Sequence, residues 1–222
     1  MDVITTPAEI ERESMKIIGA ELSERGIVLP PERASVIKRV IHATADFDYA
    51  ETLRFTPDAP QALSGGVIVT DTNMALAGIS KAALEFLGMS ARCFMAEKEI
   101  ADAAKRENAT RAAASMSYAL ERYPDAVFAI GNAPTALLRL ADGIEAGTRP
   151  ALIIGVPVGF VNVEESKARI WETCVRCGVP AIVAFGRKGG SGVAAAICNA
   201  LLYSAADMSD PARRNLRLQS RA

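Results

Sequence analysis

The sequence has almost no net charge and no long apolar run, and each absence excludes a class of protein. Its 25 lysines and arginines nearly balance 26 acidic residues, giving a formal net charge of −1. Without a basic excess the chain lacks the electrostatic footprint that binds nucleic acid or an anionic membrane. The apolar runs, such as residues 151–154 and 181–185, have the length of strands and are too short to cross a bilayer. Because residues 1–7 also lack the pattern of a signal peptide, we expect a cytoplasmic protein.

Cysteine is scarce as well. Four cysteines in 222 residues do not make a disulfide framework. Cys174 and Cys177 have C-x-x-C spacing but fall at the end of a predicted helix, whereas a redox pair lies at a helix start, where the dipole lowers the thiol pKa. No second pair supplies the remaining ligands of a structural zinc site. We expect the cysteines to pack as small hydrophobic residues, and we expect no metal.

Histidine occurs once, at His42. It follows Val40 and Ile41 at the end of a predicted helix and precedes an acidic, aromatic turn, residues 46–49. An imidazole titrates near neutral pH, so His42 suits the role of a proton donor. A single histidine in such a position is more often only a packed or half-exposed side chain. The local sequence leaves both interpretations open.

The first 60 residues or so predict a helical N-terminal segment followed by a loop. Residues 7–25 carry apolar side chains at helical spacing, and Gly26 is a plausible end. Pro30 and Pro31 predict the start of a second helix that runs to His42. Residues 44–60 show little periodicity and predict a surface loop.

From there strands and helices alternate. Because parallel strands need crossover connections, the pattern predicts an α/β fold with a mainly parallel sheet covered by helices on both faces. The economical interpretation is one domain, residues 1–222, with a polar tail at about 209–222 that forms a short helix or a frayed end. Apolar runs predict five strands, at residues 66–70, 92–95, 126–130, 151–154 and 181–185.

Three glycine-containing turns follow predicted strands, where ligands bind in open α/β sheets. They are residues 131–135, 155–161 and 186–192. Pro134 in the first turn predicts a helix start with free amides pointing outward. In the third turn Arg187 and Lys188 adjoin a helix N-terminus, a combination that favours a multiply anionic ligand. Tight packing between strand and helix is the plainer explanation of any single turn, and none of the turns spells a nucleotide fingerprint or a nucleophile elbow.

Arg111 is the other cation of interest. We place it inside an alanine-rich helix predicted over residues 97–123. A solvated helix face is the default interpretation, and bidentate recognition of a carboxylate is the functional one. In the later helix, Asn162 with Glu165 predicts an N-terminal capping box.

These residues together resemble the precorrin-8X methylmutase family of cobalamin biosynthesis, over nearly the whole chain up to about Tyr203. The resemblance lies in the following stretches: Ile10-Glu11-Arg12-Glu13-Ser14, Val40-Ile41-His42, Asp71-Thr72-Asn73-Met74, Thr110-Arg111, Ala129-Ile130-Gly131-Asn132-Ala133-Pro134-Thr135-Ala136-Leu137, Gly155-Val156-Pro157-Val158-Gly159-Phe160-Val161, Glu165-Ser166-Lys167 and Gly186-Arg187-Lys188-Gly189-Gly190-Ser191. Ala112 departs from the Ser that family members commonly carry, and Ser80-Lys81 departs from a Thr-Arg of some relatives.

The resemblance implies a three-layer α/β/α fold, a homodimer and an isomerase without a cofactor. The reaction would move a methyl group from C-11 to C-12 of a corrinoid precursor. His42 matches the family's catalytic histidine, and Ser14 and Arg111 match positions of the ligand pocket. The resemblance leaves open whether Arg111 acts within its own chain or across the dimer. The other candidate substrate contacts are Ser80, Lys81, Asn132, Thr135, Arg187, Lys188, Gly189, Gly190 and Ser191.

The residues are compatible with this substrate on physical grounds. Cations and helix N-termini suit the carboxylates at the rim of a large, flat macrocycle, and an apolar floor suits its faces. An intramolecular shift needs an acid and a pocket that fixes geometry. Two alternatives are a carrier that binds the corrinoid without converting it, and a generic α/β nucleotide enzyme, which the missing fingerprints disfavour. The residues favour a cobalt-containing substrate only slightly.

Overall fold

The N-terminal segment of the chain, up to Thr44, is mainly helical. A computed structural model of the protein describes residues 4–64, 66–211 and 214. Helix α1 spans Pro7–Glu24 and α2 spans Pro31–Thr44, and each begins with proline. Proline has no N–H, and this costs nothing at the start of a helix, because an N–H in the first turn has no acceptor within the helix. Gly26, at a φ of 69°, ends the first helix region as predicted.

The rest of the described chain alternates between short strands and helices. These elements are α3 (Tyr49–Thr52), β1 (Leu53–Phe55), a 3-10 helix (Ala59–Gln61), β2 (Val67–Thr70), α4 (Asn73–Gly78), α5 (Lys81–Phe86), β3 (Ser90–Arg92), α6 (Lys98–Arg106), α7 (Arg111–Arg122), β4 (Val127–Ile130), α8 (Pro134–Glu145), β5 (Leu152–Gly155), α9 (Val163–Cys177), β6 (Ala181–Ala184) and α10 (Ser191–Ala205).

Within the described residues the strands form one mixed sheet of six, in the order β1-β6-β5-β4-β2-β3. All neighbours run parallel except β1, which pairs antiparallel with β6 and places Leu53 opposite Ala184. The prediction of five strands is therefore wrong: β1 is a sixth strand and lies in the segment predicted to be a loop. A strand of three residues is too short to show alternation, and its pairing with β6 is a tertiary contact that local sequence does not encode. The strand predicted at residues 92–95 is also misplaced, because β3 spans Ser90–Arg92.

Successive strand residues point to opposite faces of the sheet, and each face carries its own hydrophobic core. Ile68, Val127 and Ile182 pack with α1, α2, α4, α5 and α10. Val69 and Phe128 pack on the other face with α6, α7, α8 and α9. Burial on both faces explains why the central strands appear in the sequence as unbroken apolar runs.

Two helix predictions need correction. The long helix predicted over residues 97–123 is two helices, α6 and α7, separated at Asn108, which has a left-handed φ of 49°. Thr110 then caps α7 by accepting a hydrogen bond from the Ala113 amide at 3.1 Å. Arg111 is consequently the first residue of a helix, not an interior one. The capping box predicted at Asn162 is also absent from this described region, because Asn162 is left-handed and makes no side-chain cap bond.

The cysteines behave as small packed side chains. Burial raises the pKa of Cys174 and of Cys198 to about 12, so neither thiol is activated. Cys174 and Cys177 lie at the C-terminal end of α9 as predicted. Among the described residues, no cluster of His, Cys, Asp and Glu has the arrangement of a metal site.

The polar tail lies mostly outside the described residues, and Arg213, Arg217 and Arg221 are among those not described. Arg214 is described, and its guanidinium pairs with Glu11 of α1 at 2.7 Å. In the described part of the chain, no helix combines the length and the apolar character needed to cross a membrane.

Candidate active site

His42 and Ser14 line the same groove, although 28 positions separate them in the printed sequence. His42 is exposed in the last turn of α2, where the negative end of the helix dipole favours positive charge. The Ser14 hydroxyl donates to the Ile10 carbonyl at 2.8 Å, and its oxygen keeps the capacity to accept a hydrogen bond. The groove has a volume of about 230 Å³ and is lined by Ser14, Ile17, Ile18, Glu21, Ile41, His42, Ala45 and Phe47. It offers one imidazole and one carboxylate, that of Glu21, above a mainly apolar floor.

A buried carboxylate occupies the turn that follows β4. Asp71, directly after β2, accepts hydrogen bonds from the backbone amides of Gly131, Asn132 and Ala133 at 2.8, 2.9 and 2.7 Å. Burial raises the pKa of Asp71, and these amides oppose the rise by stabilising the charged form. The amides predicted to be free for an anionic ligand are therefore already paired, and that prediction is wrong for this turn.

The three turns pack directly on one another at the carboxyl ends of the strands. A Cβ on Gly131 would lie 2.7 Å from the Ser191 Cα, and one on Gly189 would lie 2.1 Å from the Val156 carbonyl oxygen. Both positions therefore require glycine. The Ser191 and Thr72 hydroxyls are 2.8 Å apart, so the start of α10 is tied to the end of β2. Ser191 has this partner inside the protein.

A buried lysine supports the third turn from below. Lys167 of α9 has no exposed surface, and its ammonium donates to the carbonyls of Gly186 and Lys188 at 2.7 and 2.8 Å. Burial lowers the pKa of Lys167 from its ordinary 10.5 to about 8, with a smaller opposing contribution from Glu164. A buried ammonium without hydrogen-bond partners would be costly, so these two hydrogen bonds hold the backbone of the turn in one conformation.

The lowered pKa of Lys167 predicts how stability depends on pH. Between pH 8 and 10.5 the unfolded chain binds this proton and the folded chain does not, so the free energy of unfolding rises with pH there. At about 1.36 kcal/mol per pKa unit, we expect wild type to gain about 3 kcal/mol relative to Lys167→Met across that window. Urea unfolding of both proteins at several pH values measures the difference. A difference that stays constant with pH would contradict the assignment.

The two cations of the third turn have different surroundings. The Lys188 ammonium contacts the carboxylates of Asp46 and Asp48 at 2.7 and 2.6 Å, and these contacts raise its pKa. The loop that follows His42 is thereby joined to the carboxyl edge of the sheet. Arg187 is exposed, with its guanidinium 5.7 Å from the centre of the exposed Phe160 ring and 3.3 Å from Glu164.

Arg111 lies in a groove that His42 does not line. This second groove, of about 560 Å³, is formed by the end of α6, the following loop and the start of α7. The Thr110 and Thr135 hydroxyls are 2.7 Å apart, which ties the start of α7 to the turn after β4, where Asn132 is exposed. Arg111 itself is exposed, and its guanidinium has neither a hydrogen bond nor an ion pair within the described residues.

Ser80 and Lys81 lie at the start of α5, away from these turns. Ser80 caps the helix by accepting from the Ala83 amide at 3.3 Å, and its own amide donates to the Asn199 side chain at 2.8 Å. Asn199 is eight residues beyond Ser191 on α10, or about 12 Å at 1.5 Å per residue. The structure gives Ser80 a capping role at this distance, while Lys81 is exposed.

Sequence reasoning did not single out the residues that organise the site. In the sequence, Asp71 and Lys167 stand out only as members of longer motifs, and the loop carboxylates of Asp46 and Asp48 only as part of an acidic turn. An Asp directly after a buried strand, as at Asp71, indicates a side chain at the carboxyl edge of the sheet. The three backbone amides that bind Asp71 lie 60–62 positions away. Which amides these are depends on the strand order, which the local sequence does not give.

Comparisons with known proteins give one consistent family. The precorrin-8X methylmutase family pattern matches residues 9–204. The cobalt-precorrin-8 methylmutase of Salmonella typhimurium is 42% identical, over 91% of this chain and 98% of its own length. The precorrin-8X methylmutase of Pseudomonas aeruginosa is 37% identical, over 90% and 97%. The crystal structure of precorrin-8X methyl mutase from Thermus thermophilus superposes with a TM-score of 0.81 at 39% identity, covering 90% of this chain and 97% of that one.

Proposed function

The chain belongs to the precorrin-8X methylmutase family and is an isomerase of cobalamin biosynthesis, and from this premise we propose that His42 is its proton donor. The reaction moves a methyl group from C-11 to C-12 of the corrinoid. The observation that carries the proposal is the shared groove of His42 and Ser14, two positions that lie on different helices.

The methyl shift requires few protein groups beyond the groove that holds His42 and Ser14. The migrating methyl group stays within one molecule, so the protein needs to hold the macrocycle and supply a proton where negative charge develops. The isoleucines and Phe47 of the groove suit the flat, apolar face of the ring. The exposed His42 imidazole can contact the edge of the macrocycle. The Ser14 oxygen can accept a hydrogen bond from the imidazole.

The carboxylates at the macrocycle rim are assigned to Arg111 and Arg187, with Asn132 and Thr135 beside the former. An arginine at the first position of a helix opposes the helix dipole, and Arg111 has no anionic partner among the described residues that would offset this. A bound carboxylate would supply the missing partner in bidentate geometry. Arg187 has one exposed carboxylate partner, Glu164, at 3.3 Å, whereas the Lys188 ammonium is bound by two carboxylates and the Ser191 hydroxyl lies 2.8 Å from that of Thr72. We therefore assign Arg187, and not Lys188 or Ser191, to the rim.

We further propose that the protein acts in the cytoplasm as a homodimer in which Arg111 reaches the partner's His42 groove. The separate grooves of Arg111 and His42 within one chain support this arrangement. Four relatives named cobalt-precorrin-8 methylmutase are 40–42% identical, and two named precorrin-8X methylmutase are 36–37% identical. Two further relatives with the cobalt name are only 34–37% identical, so we propose the cobalt-containing corrinoid as substrate on the first four alone.

Replacing Arg111 with alanine tests the rim assignment. We expect KM to rise by roughly 10–100-fold, because a charge-assisted hydrogen bond contributes about 1.5–3 kcal/mol. Lysine at the same position should recover only part of this, since it cannot form two parallel hydrogen bonds. Steady-state kinetics beside Arg106→Ala, an exposed arginine of α6, gives the comparison. An unchanged KM would remove Arg111 from the site.

Mixing inactive variants tests whether Arg111 acts across a dimer. In a dimer of one His42→Ala and one Arg111→Ala chain, one site would hold both native residues and the other neither. Random exchange should therefore restore about a quarter of wild-type activity at low substrate concentration. Activity that stays at the level of the separate variants would place Arg111 in its own chain's site.

A further inference from the structure

One wall of the His42 groove is held from outside by a lysine. Phe47 lines the groove, and the residues on either side of it, Asp46 and Asp48, both direct their carboxylates to Lys188. The Asp46 carboxylate also accepts the Asp48 amide at 3.0 Å. Because the two contacts flank Phe47, they fix the backbone on both sides of its ring. From the α1 side, the Arg25 guanidinium lies 4.2 Å from the centre of that ring.

Lys188 projects from a fixed base. The Gly186 and Lys188 carbonyls are bound by the buried Lys167, and the Gly190 amide donates to the Val156 carbonyl at 2.8 Å. The position of the Lys188 backbone is therefore set by α9 and by the turn after β5. Lys188 and Asp48 are 48% and 64% exposed, and exposed ion pairs contribute little to global stability. The contact is better suited to holding one loop than to stabilising the fold.

We propose that Lys188 is a positioning residue of the isomerase, which with Asp46 and Asp48 holds Phe47 against the macrocycle beside His42. This inference rests on the proposed function of the groove. An ammonium already bound by two carboxylates does not need a substrate carboxylate as partner. A displacement of about 1 Å in a group that orients the substrate can lower the rate by about 10²-fold. Loss of the contact therefore affects kcat more than KM.

A double-mutant cycle on the full-length protein tests the proposal. Lys188→Met removes the charge at similar length, and Asp46→Asn keeps the acceptor for the Asp48 amide. We expect each to lower kcat by about 10-fold or more with KM within about 3-fold, and the double variant to be no worse than the poorer single one. Lys188→Arg keeps the charge and should recover most of kcat. Arg187→Met, one residue earlier, should instead raise KM.

Each other outcome overturns the proposal in a recognisable way. A higher KM with unchanged kcat in Lys188→Met would mean that the ammonium binds substrate. Multiplying losses in the double variant would mean that Lys188 and Asp46 act independently. A lower Tm with unchanged kcat would leave only a structural role. Wild-type protein that converts no corrinoid would overturn the proposed function and this inference together, and the wild-type assay alone reveals that case.

Discussion

Replacing His42 with alanine is expected to lower kcat by roughly 10²–10⁴-fold, the contribution of a positioned general acid. Binding of the methyl-shifted product should change little, because the groove floor and the rim cations remain. The side chain is exposed, so its removal leaves no cavity and Tm should hold. Single-turnover absorbance measurements give the rate, and a pigment titration gives the affinity.

Ser35→Ala, another exposed position of α2, is the matched control and should retain wild-type kcat. Full activity of His42→Ala would remove the imidazole from the mechanism. Equal losses in both variants would indicate damage to the helix instead of the loss of an acid.

Replacing Asp71 with alanine should produce the largest loss of stability. The change leaves the backbone amides of Gly131, Asn132 and Ala133 without their acceptor, and an unpaired buried donor costs about 1–3 kcal/mol. Because water can bind those of the three amides that are partly exposed, we expect a loss of about 3–5 kcal/mol in the free energy of unfolding. Urea unfolding followed by circular dichroism measures it. Activity should fall as well, since the turn also carries Asn132 and supports Thr135.

Asp58→Ala provides the comparison for Asp71. Asp58 is exposed at the start of the 3-10 helix and makes no side-chain cap bond, so its loss should cost less than about 0.5 kcal/mol. Equal effects of the two substitutions would show that the amides after β4 do not depend on the Asp71 carboxylate.

Much of the sheet could be predicted because its central strands are buried on both faces. β4, β5 and β6 are buried at every position, and a fully buried strand appears in a sequence as a short apolar run. β1 could not be predicted, since it owes its conformation to pairing with β6. The break between α6 and α7 was missed because alanine favours helix throughout, while Asn108 and the Thr110 cap act on only a few residues.

The candidate site was predictable where its chemistry is local and unpredictable where it depends on packing. A single histidine and a turn rich in glycine and cations are visible in the sequence. The pairing of Lys188 with Asp46 and Asp48 spans about 140 positions, and the local sequence of neither segment predicts contact with the other. The same holds for Asp71. Pro134 predicts free backbone amides in the turn after β4, but the Asp71 carboxylate accepts hydrogen bonds from three of them.

The most direct test of the account is to incubate the purified protein with precorrin-8X, and separately with its cobalt form, while recording the visible spectrum. A ¹³C label in the C-11 methyl group follows the migrating carbon by NMR. We predict that wild type moves the label to C-12, faster with the cobalt form, and that His42→Ala does not. Tight binding of both pigments with the label still at C-11 would contradict it and would identify a corrinoid carrier.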